Sequence, residues 1–335
     1  MSARIAPFGT TRDGRAVQRI TLGEPGGVQA EILTWGAAVR GLRTPGGVDA
    51  VLGLPDLPAY EADTSYLGVM VGPFANRIAG AAFEIDGETF RTEANEGPNT
   101  LHSGPSGLSH QVFAIVEADA TSAVLRHVAA DGEGGFPGPI TVEVRLQARG
   151  GTLEIAYVAA SARPTVINLT HHLYFNLSGR PETTGIGEHR LTVAASRFTP
   201  TDAALIPTGA LAPVAGSALD FREVRRIGAA LAQGGPELQA GGGLDHNLAL
   251  DRGGPALVLV SPETGARLEL VTDQPGVQLY SGQGLKPPFV RWGGLAIEPQ
   301  GFPDAMHHPA FPSPVLRPGE TYRRRTLYRL LDADA

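Results

Sequence analysis

The sequence predicts an all-β fold built from antiparallel strands, and three observations carry that expectation. Apolar and polar residues alternate with a period of two over many short runs, as on a strand with one buried face. The 44 glycines and 27 prolines are spread along the chain and bracket those runs, so turns are frequent. Helical periodicity is scarce.

Each element follows from the same signs. Phe83-Glu84-Ile85 meets Asp86-Gly87, a tight-turn pair, before Thr89-Phe90. Ile140, Val142, Val144 and Leu146 share one face; after Arg149-Gly150-Gly151 the pattern resumes at Leu153, Ile155 and Tyr157. This is a hairpin signature. Leu257 and Leu259 precede Pro262-Glu263-Thr264-Gly265, and Leu268 and Leu270 follow it, predicting a third hairpin. Only residues 222–232, with Val224, Ile227, Ala230 and Leu231, suggest a short surface helix, and glycine-rich 233–243 reads as a loop. Two further strands are expected over 165–177 and 294–304. In the first, Ile167, Leu169 and Leu173 alternate with Asn168, Thr170 and His172. In the second, Leu295 and Ile297 point one way and Glu298 the other. No internal repeat or low-complexity linker divides the chain, so residues 1–335 are expected to form one domain of two packed sheets.

Composition narrows the function. The chain is 42% hydrophobic and 18% charged, enough apolar material for a large core, and its net charge of −7 argues against nucleic acid. The densest basic run, Tyr322-Arg323-Arg324-Arg325, is expected to be a solvated edge strand rather than an anion site. With no cysteine, disulfides, thiolate metal sites and a cysteine nucleophile are excluded. No stretch approaches the ~18 apolar residues of a membrane span, and Met1–Gly9 lacks the apolar core of a signal peptide. A soluble cytoplasmic protein is expected.

The polar residues placed on these strands offer acid/base chemistry. His172 and Glu298, each held on rigid sheet, are the parts of a proton-transfer pair. A strand carboxylate facing inward is costly unless paired, hydrogen-bonded or neutral; the alternative is an edge glutamate facing water. His102 lies in Asn99-Thr100-Leu101-His102-Ser103-Gly104, a loop of small, turn-forming residues. Asn76, Arg77, Asp245 and Gln278 could each be turn residues or surface ion pairs. Together with the histidines and Glu298 they make the set a polyhydroxylated ligand needs. No His-x-His or His-x-x-x-His spacing occurs among these residues, and in His171-His172 and His307-His308 adjacent strand side chains diverge, so no metal is expected.

Asn168-Leu169-Thr170-His171-His172-Leu173-Tyr174-Phe175-Asn176-Leu177 resembles the NLTNHSYFNL segment of aldose 1-epimerases, the galactose mutarotases. The likeness runs through nearly the whole chain. It includes Ala75-Asn76-Arg77-Ile78, Asn99–His102, Asp131–Gly138, Leu244-Asp245-His246, Gln274–Tyr280, Glu298-Pro299-Gln300 and Leu316–Tyr322. The resemblance implies a galactose mutarotase-like β-supersandwich with a sugar cleft on a concave sheet. It implies Glu298 as general base, His172 as general acid and His102 as the second active-site histidine. Asn76, Arg77, Asp245 and Gln278 match its sugar-contacting positions, and it needs no metal or organic cofactor.

The chain departs from the family at Leu101-His102-Ser103-Gly104, Gly72-Pro73, His171 and Glu298-Pro299-Gln300; Lys286–Arg291, in a short 284–293 loop, matches no family signature. These departures bear on the preferred sugar, not the reaction. The expected activity is interconversion of the α and β anomers of a free aldose such as galactose or glucose, by a monomer or homodimer. For this His172 must arrive protonated and Glu298 ionised, and their unperturbed pKa values, roughly 6.5 and 4.3, need only modest tuning. Two rivals remain: a glycoside hydrolase using Asp245 and Glu298, and a non-catalytic sugar-binding or sensor protein on the same fold.

Overall fold

The computed structural model describes residues 3–251 and 253–332. Antiparallel pairing dominates, in a nine-stranded, a six-stranded and a four-stranded sheet with several two-stranded ladders. The nine-stranded sheet is centred on Ile140–Arg149, Thr152–Ser161, Tyr322–Leu331 and Arg267–Thr272. The six-stranded sheet runs in the order Leu173–Phe175, Leu295–Gln300, Gly276–Tyr280, Asp245–Ala249, Arg197–Phe198, Ala212–Pro213. The four-stranded sheet is formed by the first four strands, Arg4–Thr10 to Val39–Arg43. One contiguous apolar core, from Ile20 to Leu330, draws on all three large sheets.

All three expected hairpins form. Ile140–Arg149 pairs with Thr152–Ser161 from Arg149 opposite Thr152 outward, its inner face Ile140, Val142, Val144 and Leu146 all buried. The Ala82–Ile85/Glu88–Arg91 hairpin turns at Asp86 (φ 54°) and Gly87 (φ 83°), the left-handed pair that matches strand twist. Leu257–Val260 pairs with Arg267–Thr272.

Other expectations are corrected. The helix is Ile227–Gln233 rather than 222–232; Arg225–Arg226 instead pair at the rim of the nine-stranded sheet, and Val224 stays exposed. Gly234, at φ 64°, ends that helix, and the expected loop after it holds a further short helix, Pro236–Gln239. The strand Tyr322–Leu331 lies between Thr152–Ser161 and Arg267–Thr272, so it is interior rather than an edge. Residues 165–177 are not one strand. Thr165–Val166 pairs with Val315–Leu316, Thr170–His171 with Met70–Val71, and Leu173–Phe175 with Leu295–Gln300. The segment crosses from ladder to ladder, which is why its apolar and polar positions alike are buried.

Pro299 is tolerated within a central strand for a local reason. Pairing with Leu173–Phe175 stops at Ile297, so on that side the missing N–H has no partner to lose. No helix among the described residues is long and apolar enough to cross a membrane.

Candidate active site

Register on the six-stranded sheet aligns the first group of side chains. Gln278 stands between Asn247 and Glu298 on neighbouring strands, and Tyr280 between Asp245 and Ala296. Leu173 pairs with Ile297, so His172 and Glu298 lie alongside, Nε2 to Oε1 3.5 Å apart. A second group arrives on a short ladder, Arg77–Ile78 against Thr100–Leu101. Asn76 and His102 follow one another across its end, both in left-handed backbone (φ 66° and 54°). His102 N–H donates to the Asn76 carbonyl at 3.0 Å, and Asn76 N–H donates to His102 Nδ1 at 3.2 Å.

The charges are interlocked. Arg77, almost fully buried, forks onto Glu96 through Nε (2.6 Å) and Nη2 (2.9 Å), and Nη2 lies 3.7 Å from Asp245 Oδ2. Asp245 Oδ1 accepts from Gln278 Nε2 at 2.6 Å. Glu298 is 1% exposed, and its Oε2 has no hydrogen-bond partner. Burial, with the Asp245 charge adding to it, holds the Glu298 carboxyl well above the usual carboxylate range, against the pull of Arg77. Burial pushes His172 down to about 3 and His102 well below an ordinary imidazole, the latter helped by His172 and Arg77. The expectation of modest tuning is therefore corrected. Desolvation dominates and favours the uncharged form of each group, a protonated Glu298 beside a neutral His172. The pair still holds one proton, the same count as carboxylate plus imidazolium, so it titrates as a unit.

His102, His172 and Glu298 bring three potential metal-ligand atoms within 4.8 Å of one another, which sequence spacing did not anticipate. The ring chemistry does not fit a metal. A ligating imidazole donates its other N–H to an acceptor. His102 Nδ1 instead accepts from Asn76 N–H, so the neutral ring carries its hydrogen on Nε2 and presents a donor, not a lone pair.

These groups open into a cavity of about 390 Å³. His172, Glu298, His102, Asn76, Arg77 and Asp245 all line it. Gln278 does not; it stands behind Asp245 and fixes that carboxylate. Several wall residues escaped the sequence reading. The Tyr66 ring lies 4.6 Å from His102 and stacks at 6.0 Å on His172, whose other side meets Tyr174 at 4.8 Å. Glu96 and Tyr280 complete the wall, with Gly284 and Lys286, the only lysine of the chain, from the 284–293 loop. Tyr174 and Tyr280 sit inside the segments singled out by sequence and Lys286 in the loop that departs from the family; Tyr66 and Glu96 carried no local signal.

His246, His307 and His308 are instead held by neighbouring groups. His246 accepts from Asp245 N–H and donates to the Glu237 carbonyl. His307 and His308, expected to diverge, both turn onto Asp304, because the chain there is a single helical turn rather than a strand.

Residues 18–329 match the aldose 1-epimerase family. The chain is 34% identical to the galactose mutarotase of Homo sapiens over 318 residues, 90% of this chain and 91% of that one. It is 32% identical to the aldose 1-epimerase of Escherichia coli K12 over 338 residues, covering 95% and 96%. Among solved structures, the galactose 1-epimerase of Lactobacillus acidophilus superposes with a TM-score of 0.89 at 25% identity, over 99% of both chains.

Proposed function

The chain belongs to the aldose 1-epimerase family, carbohydrate isomerases that interconvert anomers, and from that premise we propose that Glu298 and His172 carry the proton transfers of ring opening in this enzyme. The observation that carries the reading is the facing pair itself. It is buried, it is 3.5 Å apart, and each member has an oxygen or nitrogen without a protein partner.

One proton serves both groups. Shifting it from Glu298 to His172 creates a carboxylate base and an imidazolium acid without exchange with solvent. Glu298 then takes the proton of the C1 hydroxyl while His172 gives its own to the ring oxygen. The C1–O5 bond breaks and the free aldehyde forms. Rotation about C1–C2 presents the other carbonyl face, and the reverse transfers close the ring as the opposite anomer. Net protonation of the pair is unchanged after each half-reaction.

The neighbours have supporting roles. His102, its hydrogen on Nε2, donates to the oxygen that gains charge. Arg77, Asp245 and Asn76 hold hydroxyl groups, with Gln278 keeping Asp245 in place, and the tyrosine faces pack on the sugar ring. A hydrolase would need Asp245 free as a second carboxylate; its hydrogen bond from Gln278 and its ion pair with Arg77 favour a binding role. No metal or organic cofactor enters the reaction. We read the chain as one cytoplasmic domain, monomeric or homodimeric, acting on a free aldose; a rate panel over galactose, glucose, arabinose and xylose ranks the substrates.

Glu298→Gln preserves shape and removes the base. Polarimetry on freshly dissolved α-D-galactose and α-D-glucose should show a loss of about 10²–10⁴-fold toward the spontaneous rate. Near-full activity would sink the assignment.

A further inference from the structure

A cavity of about 510 Å³, larger than the sugar cleft, lies between the Pro312–Leu316 segment and the start of the strand Tyr322–Leu331. It shares no lining residue with that cleft. Its rim carries the Arg323-Arg324 part of the basic run, and the three arginines of that run differ. Arg325 forks onto Glu154 with two bonds of 2.7 Å. Neither Arg323 nor Arg324 has a carboxylate within 4.0 Å among the described residues.

Arg324 is the anomaly. It pairs in register with buried Tyr157, and alternation puts it on the same face of the strand as buried Thr326 and Tyr328. A guanidinium on the inward face of a sheet normally meets a counter-ion. Here its Nε is buried without any partner, one Nη donates only to the Arg323 carbonyl (3.0 Å), and the group lies over the Tyr322 ring at 5.4 Å. The side chain as a whole is half-buried, and the guanidinium has donors left over. Around it the walls are mixed: Ile167, Phe302, Pro314 and Leu316 are apolar, Asn168, Gln274, Ser313 and Thr321 are polar, and Glu320 is the only acidic residue of the lining.

We propose that this rear groove is a second ligand site, taking a compact organic anion whose phosphate or carboxylate head sits on the Arg324 guanidinium. Planar guanidinium donors match an oxyanion, and a groove of this volume with both apolar and polar walls suits a small organic body that carries polar groups. The site stands apart from the proton-transfer pair, so it does not depend on the roles given to His172 and Glu298.

Calorimetric titration of the full chain tests it, with saturating galactose present so that the sugar cleft is filled. Inorganic phosphate and glycerol 3-phosphate form the phosphate arm, and succinate forms the carboxylate arm. At least one arm should show saturable binding. Arg324→Gln should weaken that binding about 10-fold or more, Arg324→Lys less, and Glu320→Gln should tighten it two- to three-fold as a repelling charge is lost. Anomerisation by all three variants should stay within about two-fold of wild type. Absence of saturable binding in both arms overturns the proposal, as does equal binding by Arg324→Gln. Should Arg324→Gln fail to fold, Glu320→Gln decides: unchanged affinity overturns the proposal, tighter binding supports it.

Discussion

His171 and His172 are joined by one peptide bond, yet they belong to two regions that treat an imidazole in opposite ways. His171 points toward the nine-stranded sheet. Its Nδ1 accepts from the Tyr157 hydroxyl at 2.8 Å and its Nε2 donates to the Ala37 carbonyl at 3.1 Å. Every polar atom of the neutral ring is used. His172 points into the cleft, where Nδ1 has no partner and Nε2 only approaches Glu298. Both are buried and both are held well below an ordinary imidazole by desolvation, to about 4 and about 3. Burial and a displaced pKa therefore do not by themselves mark a functional group. An unsatisfied one, facing a second unsatisfied one, does.

The sharpest way to break this contrast is to remove the cleft ring. His172→Asn should cut kcat/KM by about 10²–10⁴-fold, the range of a positioned acid. Thermal unfolding should leave its Tm little changed, since the Nδ1 that is lost has no hydrogen-bond partner. A fall in Tm with activity retained would make His172 structural and dissolve the comparison.

The converse variant is His171→Leu. It strands the Tyr157 hydroxyl and the Ala37 carbonyl in the core, and about 1–3 kcal/mol is expected for each buried group left unpaired. Denaturant unfolding should register that loss, while the folded fraction turns over at close to the wild-type rate. Intact stability would show that the two bonds of His171 contribute nothing.

Acid separates the regions more gently. His171 and His189 both titrate at about 4 in the folded state, against roughly 6.5 unfolded. Between those values the unfolded chain binds more protons, so stability falls as pH falls, by up to about 1.4 kcal/mol per pH unit for each histidine. Tm should drop from pH 7 to pH 5, and His171→Leu should flatten that slope. In the cleft the directions are an elevated Glu298 and a depressed His172, so the singly protonated pair occupies the pH range between them. Its acid limb belongs to His172 and its alkaline limb to Glu298, the reverse of what unperturbed groups would give. The acid limb of the kcat/KM profile should lie well below pH 6.5; an acid limb near 6.5 would mean that His172 titrates as an ordinary imidazole.

The smallest effect is expected from a chelator. With His102 presenting an N–H, EDTA should leave the rate unchanged. Activity lost with EDTA and restored by a divalent cation would place a metal among His102, His172 and Glu298 and reverse the tautomer.

What the amino-acid sequence determined by itself was local. Alternation with glycine-bearing turns was enough for the three hairpins, because strand period and turn conformation depend on a few neighbouring residues. The ordered segments from Ala75–Ile78 to Glu298–Gln300 were enough to single out six of the residues that line the cleft, Asn76, Arg77, His102, His172, Asp245 and Glu298. Tertiary structure decided the rest. It split 165–177 among three ladders, placed the arginine-bearing last strand inside a sheet, set Gln278 behind Asp245, and brought in Tyr66, Glu96 and Lys286. It also buried the pair, which moves Glu298 up and His172 down. Periodicity reports which way a side chain points, not what covers it, and burial, hydrogen-bond satisfaction and pKa arise from that cover, supplied here by segments more than a hundred residues away.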